Sequence, residues 1–280
     1  MDMKVSGLAI ACMVATAAVS FLIPLALLWY VRKKKGADLA PFFVGCIVFV
    51  LFALVLEGAL NRALLLNSAA SEMILGSPWL YGIVGGLMAG IFEETGRFIA
   101  FKTALRKYRG KDSNALSYGI GHGGIEAMLL IGLSYISNIA LSLMINSGMM
   151  ETLLAQVPAE AAAQVQGAFA QLTGTAPSLF LMAGLERISA IGLHIALSVL
   201  VWFAAKKRGL FALYPLAVLL HALVDMVAAV AARLGMPVLA VEGLILLSSA
   251  ACVAIAVVIW KKQAEPPVGT FAETPVRSFE

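Results

Sequence analysis

Histidine and glutamate are costly to hold in hydrocarbon, so where this chain places them bears directly on its chemistry. It has three histidines, His122, His194 and His221, each inside a long apolar run, and a paired carboxylate, Glu93-Glu94, in another. A carboxylate among imidazoles in a partly dehydrated cavity can take a proton from water near neutral pH. Water activated in this way can attack a peptide carbonyl while an imidazole hydrogen-bonds the developing oxyanion. Three neutral histidines, or two with a glutamate, are equally the ligand set of a catalytic zinc site that keeps one position open. The H-E-x-x-H helix signature is absent, so metal ligands would have to meet across helices. Glu, His and Asp also build proton relays, which keeps a proton-coupled transporter as the reading from another class.

The elements that must position these groups follow from composition. With 61% hydrophobic residues, 13% charged residues and a mean hydropathy of +0.93, the sequence reads as an all-α, polytopic membrane bundle. Apolar windows of about 20 residues predict seven spans near 7–31, 40–60, 79–101, 114–146, 178–204, 211–232 and 238–260. Basic residues cluster after the first span (Arg32, Lys33, Lys34, Lys35), in the 3-4 connection (Lys102, Arg106, Lys107, Arg109, Lys111), in the 5-6 connection (Lys206, Lys207, Arg208) and after the last span (Lys261, Lys262). The positive-inside rule then predicts an outside N terminus and a cytoplasmic C terminus, as in a bacterial plasma membrane. A net charge of +4 describes that rim against anionic lipid, and the sequence predicts lipid but no nucleic acid as a partner.

The first apolar run ends in a basic stop and reads as a span, not a cleaved signal. Cys12, Cys46 and Cys252 are isolated in apolar spans and read as packing residues. Residues 147–177 predict an outside loop with a short amphipathic helix, either a lid or a connector. The bundle is expected over 1–262, followed by a disordered cytoplasmic tail over 263–280, where Pro266, Pro267, Gly269 and Pro275 stand among polar residues.

At about 1.5 Å of rise per residue, Glu93, Glu94, His122, His194 and His221 all fall about 12 to 18 Å below the basic boundary, in one layer that predicts a single site opening towards the cytoplasm. Helical spacing puts Glu93 and Glu94 with Arg97, His122 with Glu126, Arg187 with His194, and His221 with Asp225 on shared faces. Arg97 reads first as the counter-charge of Glu94, and Arg187 as that of Glu186. The glycines around His122 serve either close helix packing or substrate approach. Glu57 and Glu242, nearer the outer ends, read as interfacial or structural.

The motifs EETGR (93–97), GHGGIEA (121–127), ERISAIGLH (186–194) and HALVD (221–225) resemble the YhfC family of bacterial intramembrane endopeptidases. They also resemble the wider CAAX-protease and bacteriocin-processing (CPBP) group and the PrsW proteases through a Glu-Glu-x-x-Arg/Lys motif and later histidine motifs. The resemblance implies a glutamic protease cleaving a membrane-associated peptide or protein, with Glu93 as general base. Glu94 and Arg97 would orient or balance Glu93, and His122 and His221 would hold water or the oxyanion. Glu126, Glu186, Arg187, His194 and Asp225 are implied as supporting residues. Asp225 stands where the wider group often has asparagine, and His194 has no clear counterpart there. No cofactor is expected on this reading; zinc held by His122, His194 and His221 is the alternative.

Overall fold

In a bilayer core each backbone N–H and C=O must be bonded within its own segment, and for a chain this apolar the helix is the local solution. The computed structural model describes residues 4–67 and 69–265, and among the described residues all regular structure is helical. The main helices are α1 (Gly7–Lys35), α2 (Ala40–Leu66), α3 (Pro78–Lys102), α4 (Ser113–Asn146), α5 (Ala159–Gly174), α6 (Pro177–Lys206), α7 (Leu213–Arg233) and α8 (Val238–Gln263). Short helices Ser71–Gly76 and Met150–Gln156 lie in the connections. The Ser6 hydroxyl caps α1 by accepting from the Ala9 amide, and Gly36, at φ 66°, closes it in the left-handed conformation. Two helices widen locally: α2 is a π-helix over Phe49–Glu57 and α4 over Ala127–Gly132. Such segments recur where a helix is bent to serve a site.

Among the described residues, six helices (α1, α2, α4, α6, α7 with its preceding turn, and α8) are long and apolar enough to cross a membrane, by length and composition. With 25 residues α3 is as long as a span, but it carries Glu93, Glu94, Arg97 and Lys102. It turns the first three inward, where each is buried. The outer surface is correspondingly apolar, with Leu8, Leu22, Ile47, Ile91, Leu219 and Leu247 exposed. Polar groups inside and leucines outside match a hydrocarbon solvent.

The basic connections gather at one end of the bundle. Asp112 accepts from Trp202 Nε1 and Lys206 Nζ, both at 2.8 Å, and from the Glu265 amide at 2.9 Å. Lys111 Nζ donates to Asp38 at 2.8 Å and Arg109 to the Ala205 carbonyl at 2.7 Å. Partial burial pushes the Asp38 carboxyl up, yet hydrogen bonds from Lys111 and Asn114 hold it below its ordinary value. At the opposite end Asn146 exchanges two hydrogen bonds with the Val5 backbone, and Arg233 lies over the Tyr81 ring, 3.8 Å from its centroid. Between 147 and 177 the structure has two helices; α5 packs Phe169 and Leu172 against α1 and α4. The expected tail begins within α8, whose last helical residue is Gln263, and residues 266–280 lie outside the described residues.

Glycine sets how closely the helices meet. On α3, Gly82, Gly86 and Gly90 face α7 at four-residue spacing. A Cβ on Gly82 would stand 2.5 Å from a Val230 methyl, one on Gly90 2.6 Å from the Val218 carbonyl, and one on Gly86 would overlap the Ala222 carbonyl. The glycines around His122 also pack helices. Gly121 abuts the Phe42 carbonyl of α2, Gly123 lies against Ile191 of α6, and Gly124 against Pro24 of α1. Backbone approach of this kind drives helix association in lipid, where no hydrophobic force acts between helices.

Candidate active site

Packing α3 against α7 and α4 against α6 brings the ionisable groups of four helices into one buried layer. His122 Nε2 lies 2.7 Å from Glu93 Oε2, and His194 Nδ1 lies 3.9 Å from the same oxygen. His221 Nδ1 lies 2.8 Å from Glu94 Oε1. One terminal nitrogen of Arg97 donates to both oxygens of Glu94, and its other terminal nitrogen stands 3.2 Å from His194 Nδ1. The imidazoles follow one another across the layer, with ring centroids 4.7 Å apart for His122–His194 and 5.3 Å for His194–His221. Phe49 meets the His122 ring edge-on at 5.3 Å.

Glu126 holds the second half of the network. Arg187 donates to Glu126 Oε1 at 2.7 Å and also pairs with Glu186. Glu126 Oε2 is 2.6 Å from His194 Nε2, yet the contact lacks hydrogen-bond alignment and the oxygen is buried without a partner. The spacing pairs therefore resolve differently from expectation. Arg97 serves Glu94 and Arg187 serves Glu186, as predicted. His122 bonds Glu93 on another helix, while Glu126, its expected neighbour, turns to His194 and Arg187. His221 Nε2 and Asp225 Oδ2 are 3.5 Å apart, an ion-pair distance that is long for a hydrogen bond.

A cavity of about 330 Å³ opens from this layer, lined by Glu93, His194 and His221 at its base. Its other wall residues all lie on the side away from the basic end: Leu54 and Glu57 beyond Phe49 on α2, Leu130 beyond Glu126 on α4, Glu186 before His194 on α6, and Asp225 and Ala228 beyond His221 on α7. On the basic side Phe101, Tyr118, Leu197, Leu200, Val201 and Trp202 are fully buried and close the bundle. The opening expected at the basic end is thus corrected: the cavity lies on the other side of the layer. The ionisable groups do meet in one layer, but large side chains fill the bundle on its basic side. None of the described residues between 147 and 177 lines the cavity, whereas Glu57, expected to be interfacial or structural, does. Ser249 of α8 is a wall residue that sequence reasoning missed, since a serine in an apolar helix gives no signal of its own.

One oxygen of Glu93 and one ring nitrogen each of His194 and His221 lie within 4.8 Å of one another, all three residues buried. A carboxylate with two imidazoles is the donor chemistry of a catalytic zinc site. The supporting shell fits as well, because the Glu94 bond assigns the proton to His221 Nδ1 and leaves Nε2 to face the cavity. The unpartnered Glu126 oxygen beside His194 adds a buried lone pair at the same place. The residues present fit a divalent transition metal. They alter the expected ligand set: Glu93 joins His194 and His221, and His122 is engaged with Glu93 instead.

A multi-pass helical membrane protein with a buried carboxylate and histidine centre is the class this fold and site define. The chain belongs to the YhfC intramembrane metalloprotease family, whose model matches residues 19–246. A protein of Bacillus subtilis (strain 168) described as "Uncharacterized membrane protein YhfC" is 40% identical over 221 residues, covering 78% of this chain and 83% of that protein. No solved structure matches.

Proposed function

We propose that this chain is a metal-dependent intramembrane endopeptidase that hydrolyses a peptide bond of a membrane-associated peptide or protein. The observation carrying this reading is the buried convergence of Glu93, His194 and His221 at the base of a cavity, in a chain of the YhfC intramembrane metalloprotease family. We also propose that α3 makes a seventh crossing, with the N terminus outside and the C terminus cytoplasmic. This follows from the single end at which the basic connections gather.

A divalent cation on Glu93, His194 and His221 would supply a Lewis acid for the carbonyl oxygen and an acidified water. The protein's own groups do the rest. Glu94 fixes the His221 tautomer, and Arg97 balances Glu94. His122 holds Glu93 by one oxygen. With Oε1 held by Arg187 and Oε2 beside His194 Nε2, Glu126 is placed to accept the proton of the attacking water and return it to the leaving amine. The apolar seal on the basic side excludes bulk water, which strengthens each of these interactions.

The His122–Glu93 hydrogen bond favours one second reading, in which Glu93 activates water without metal as the likeness to the CPBP and PrsW proteases implies. Elemental analysis of the purified full-length chain separates the two. The expected result is about one zinc or similar ion per chain, lost in His194→Ala and His221→Ala, with cleavage of co-expressed single-span membrane proteins abolished by chelation. Cleavage by metal-free protein would select the second reading. Undiminished cleavage by Glu93→Gln would remove both.

A further inference from the structure

The proposed chemistry leaves three polar groups of the cavity wall unused: Glu57 on the π-helical segment of α2, Asp225 on α7 and Ser249 on α8. Among the described residues, the polar partner of Glu57 is Asn61, one turn along the same helix at 3.1 Å, and that of Asp225 is His221 at 3.5 Å. No lysine or arginine reaches either carboxylate among the described residues, and His221 is the ionisable neighbour of Asp225. Arg187, the arginine on the same wall, is taken by Glu126 and Glu186.

Ser249 is the independent sign that something docks here. Serines in these helices ordinarily bond back to a carbonyl four residues earlier, as Ser134, Ser198 and the adjacent Ser248 do at 2.7 Å. Ser249 is 3% exposed, lines the cavity and has a hydroxyl with no partner. An unmade hydrogen bond at a buried site is costly unless a ligand supplies it.

We propose that Glu57, Asp225 and Ser249 form a subsite for a cationic side chain, lysine or arginine, in an otherwise apolar membrane segment of the substrate. The shape suits such a group. Ala53, Leu54, Ala228 and Ile245 give the cavity apolar walls for an aliphatic stem, and the two carboxylates offer acceptors for its charged head. A buried charge in a membrane helix needs a counter-charge, and two carboxylates with no lysine or arginine on them provide it. The word substrate rests on the endopeptidase reading; the recognition itself does not.

The test uses the full-length chain in lipid nanodiscs and fluorescent Leu/Ala membrane peptides of about 22 residues carrying one central lysine, norleucine or glutamate. The lysine peptide is expected to bind about tenfold more tightly than the norleucine peptide. That preference should fall below about threefold in the Glu57→Gln/Asp225→Asn double variant, which still binds the norleucine peptide as wild type does and so reports an intact fold. Charge-retaining Asp225→Glu should keep most of the preference, and Ser249→Ala should weaken it. Equal affinity for lysine and norleucine, or a preference that survives the double variant, would overturn the proposal. So would a second equivalent of metal lost in that variant. Lysine preference without cleavage of any peptide would count against the endopeptidase reading and leave the subsite standing.

Discussion

Arg187 binds two carboxylates at once, since one guanidinium serves both Glu126 and Glu186. Through Glu126 it reaches His194, so it acts on the site as a positioning residue. Removing one partner of a buried pair leaves the other charge uncompensated, at a cost of about 3 to 5 kcal/mol. Arg187→Ala is therefore expected to lower kcat by about 10- to 100-fold with little change in KM. Arg187→Lys keeps the charge but loses the fork, and should recover part of kcat. Steady-state kinetics on both variants checks this; a kcat unchanged in Arg187→Ala would show that Glu126 needs no such support.

At the scale of the helix, the glycine strip of α3 decides whether Glu94 reaches His221 at all. Gly86 lies against the Ala222 carbonyl, one residue along from His221, while Gly85 beside it has nothing within 4 Å of a Cβ position. Gly86→Val is expected to lower stability by about 1 to 3 kcal/mol through overpacking and to abolish activity by pushing α3 from α7. Gly85→Ala, on the same turn, should be neutral or stabilising by up to about 1 kcal/mol, because alanine favours the helix and meets no neighbour. Thermal unfolding in one detergent compares them. Equal effects would mean that the strip does not set the helix spacing. The GHGG segment of α4 obeys the same logic, and close packing is what its glycines do.

For the molecule as a whole, the consequence lies in which side of the site is open. The layer of histidines sits on a floor of Phe101, Tyr118, Leu197 and Trp202, and the cavity rises from it towards the end where Val5 meets Asn146. On the proposed topology, with the basic end cytoplasmic, substrate should reach the site from the outer half of the membrane. In a chain whose Cys12, Cys46 and Cys252 are replaced, Ala53→Cys and Ala228→Cys are expected to react with a membrane-impermeant thiol reagent added outside and not inside. The reverse pattern would invert either the topology or the access route. Because labelling needs no catalysis, it stands apart from every kinetic result.

The sequence by itself determined the solvent and the ingredients. An apolar composition demands helices in lipid, basic clusters mark one end, and ionisable residues at matching depth on α3, α4, α6 and α7 announce a buried site, since local periodicity and rise per residue carry that information. Which groups touch was decided only by tertiary structure. Spacing along one helix suggested His122 with Glu126; packing between helices paired His122 with Glu93 and gave Glu126 to His194 and Arg187. Ser249 and Glu57 joined the cavity because the bundle leaves space on one side of the layer and fills it on the other. Periodicity places a side chain on a face of its own helix, but the rotation and approach of neighbouring helices, set here by glycines against backbone, choose its partners.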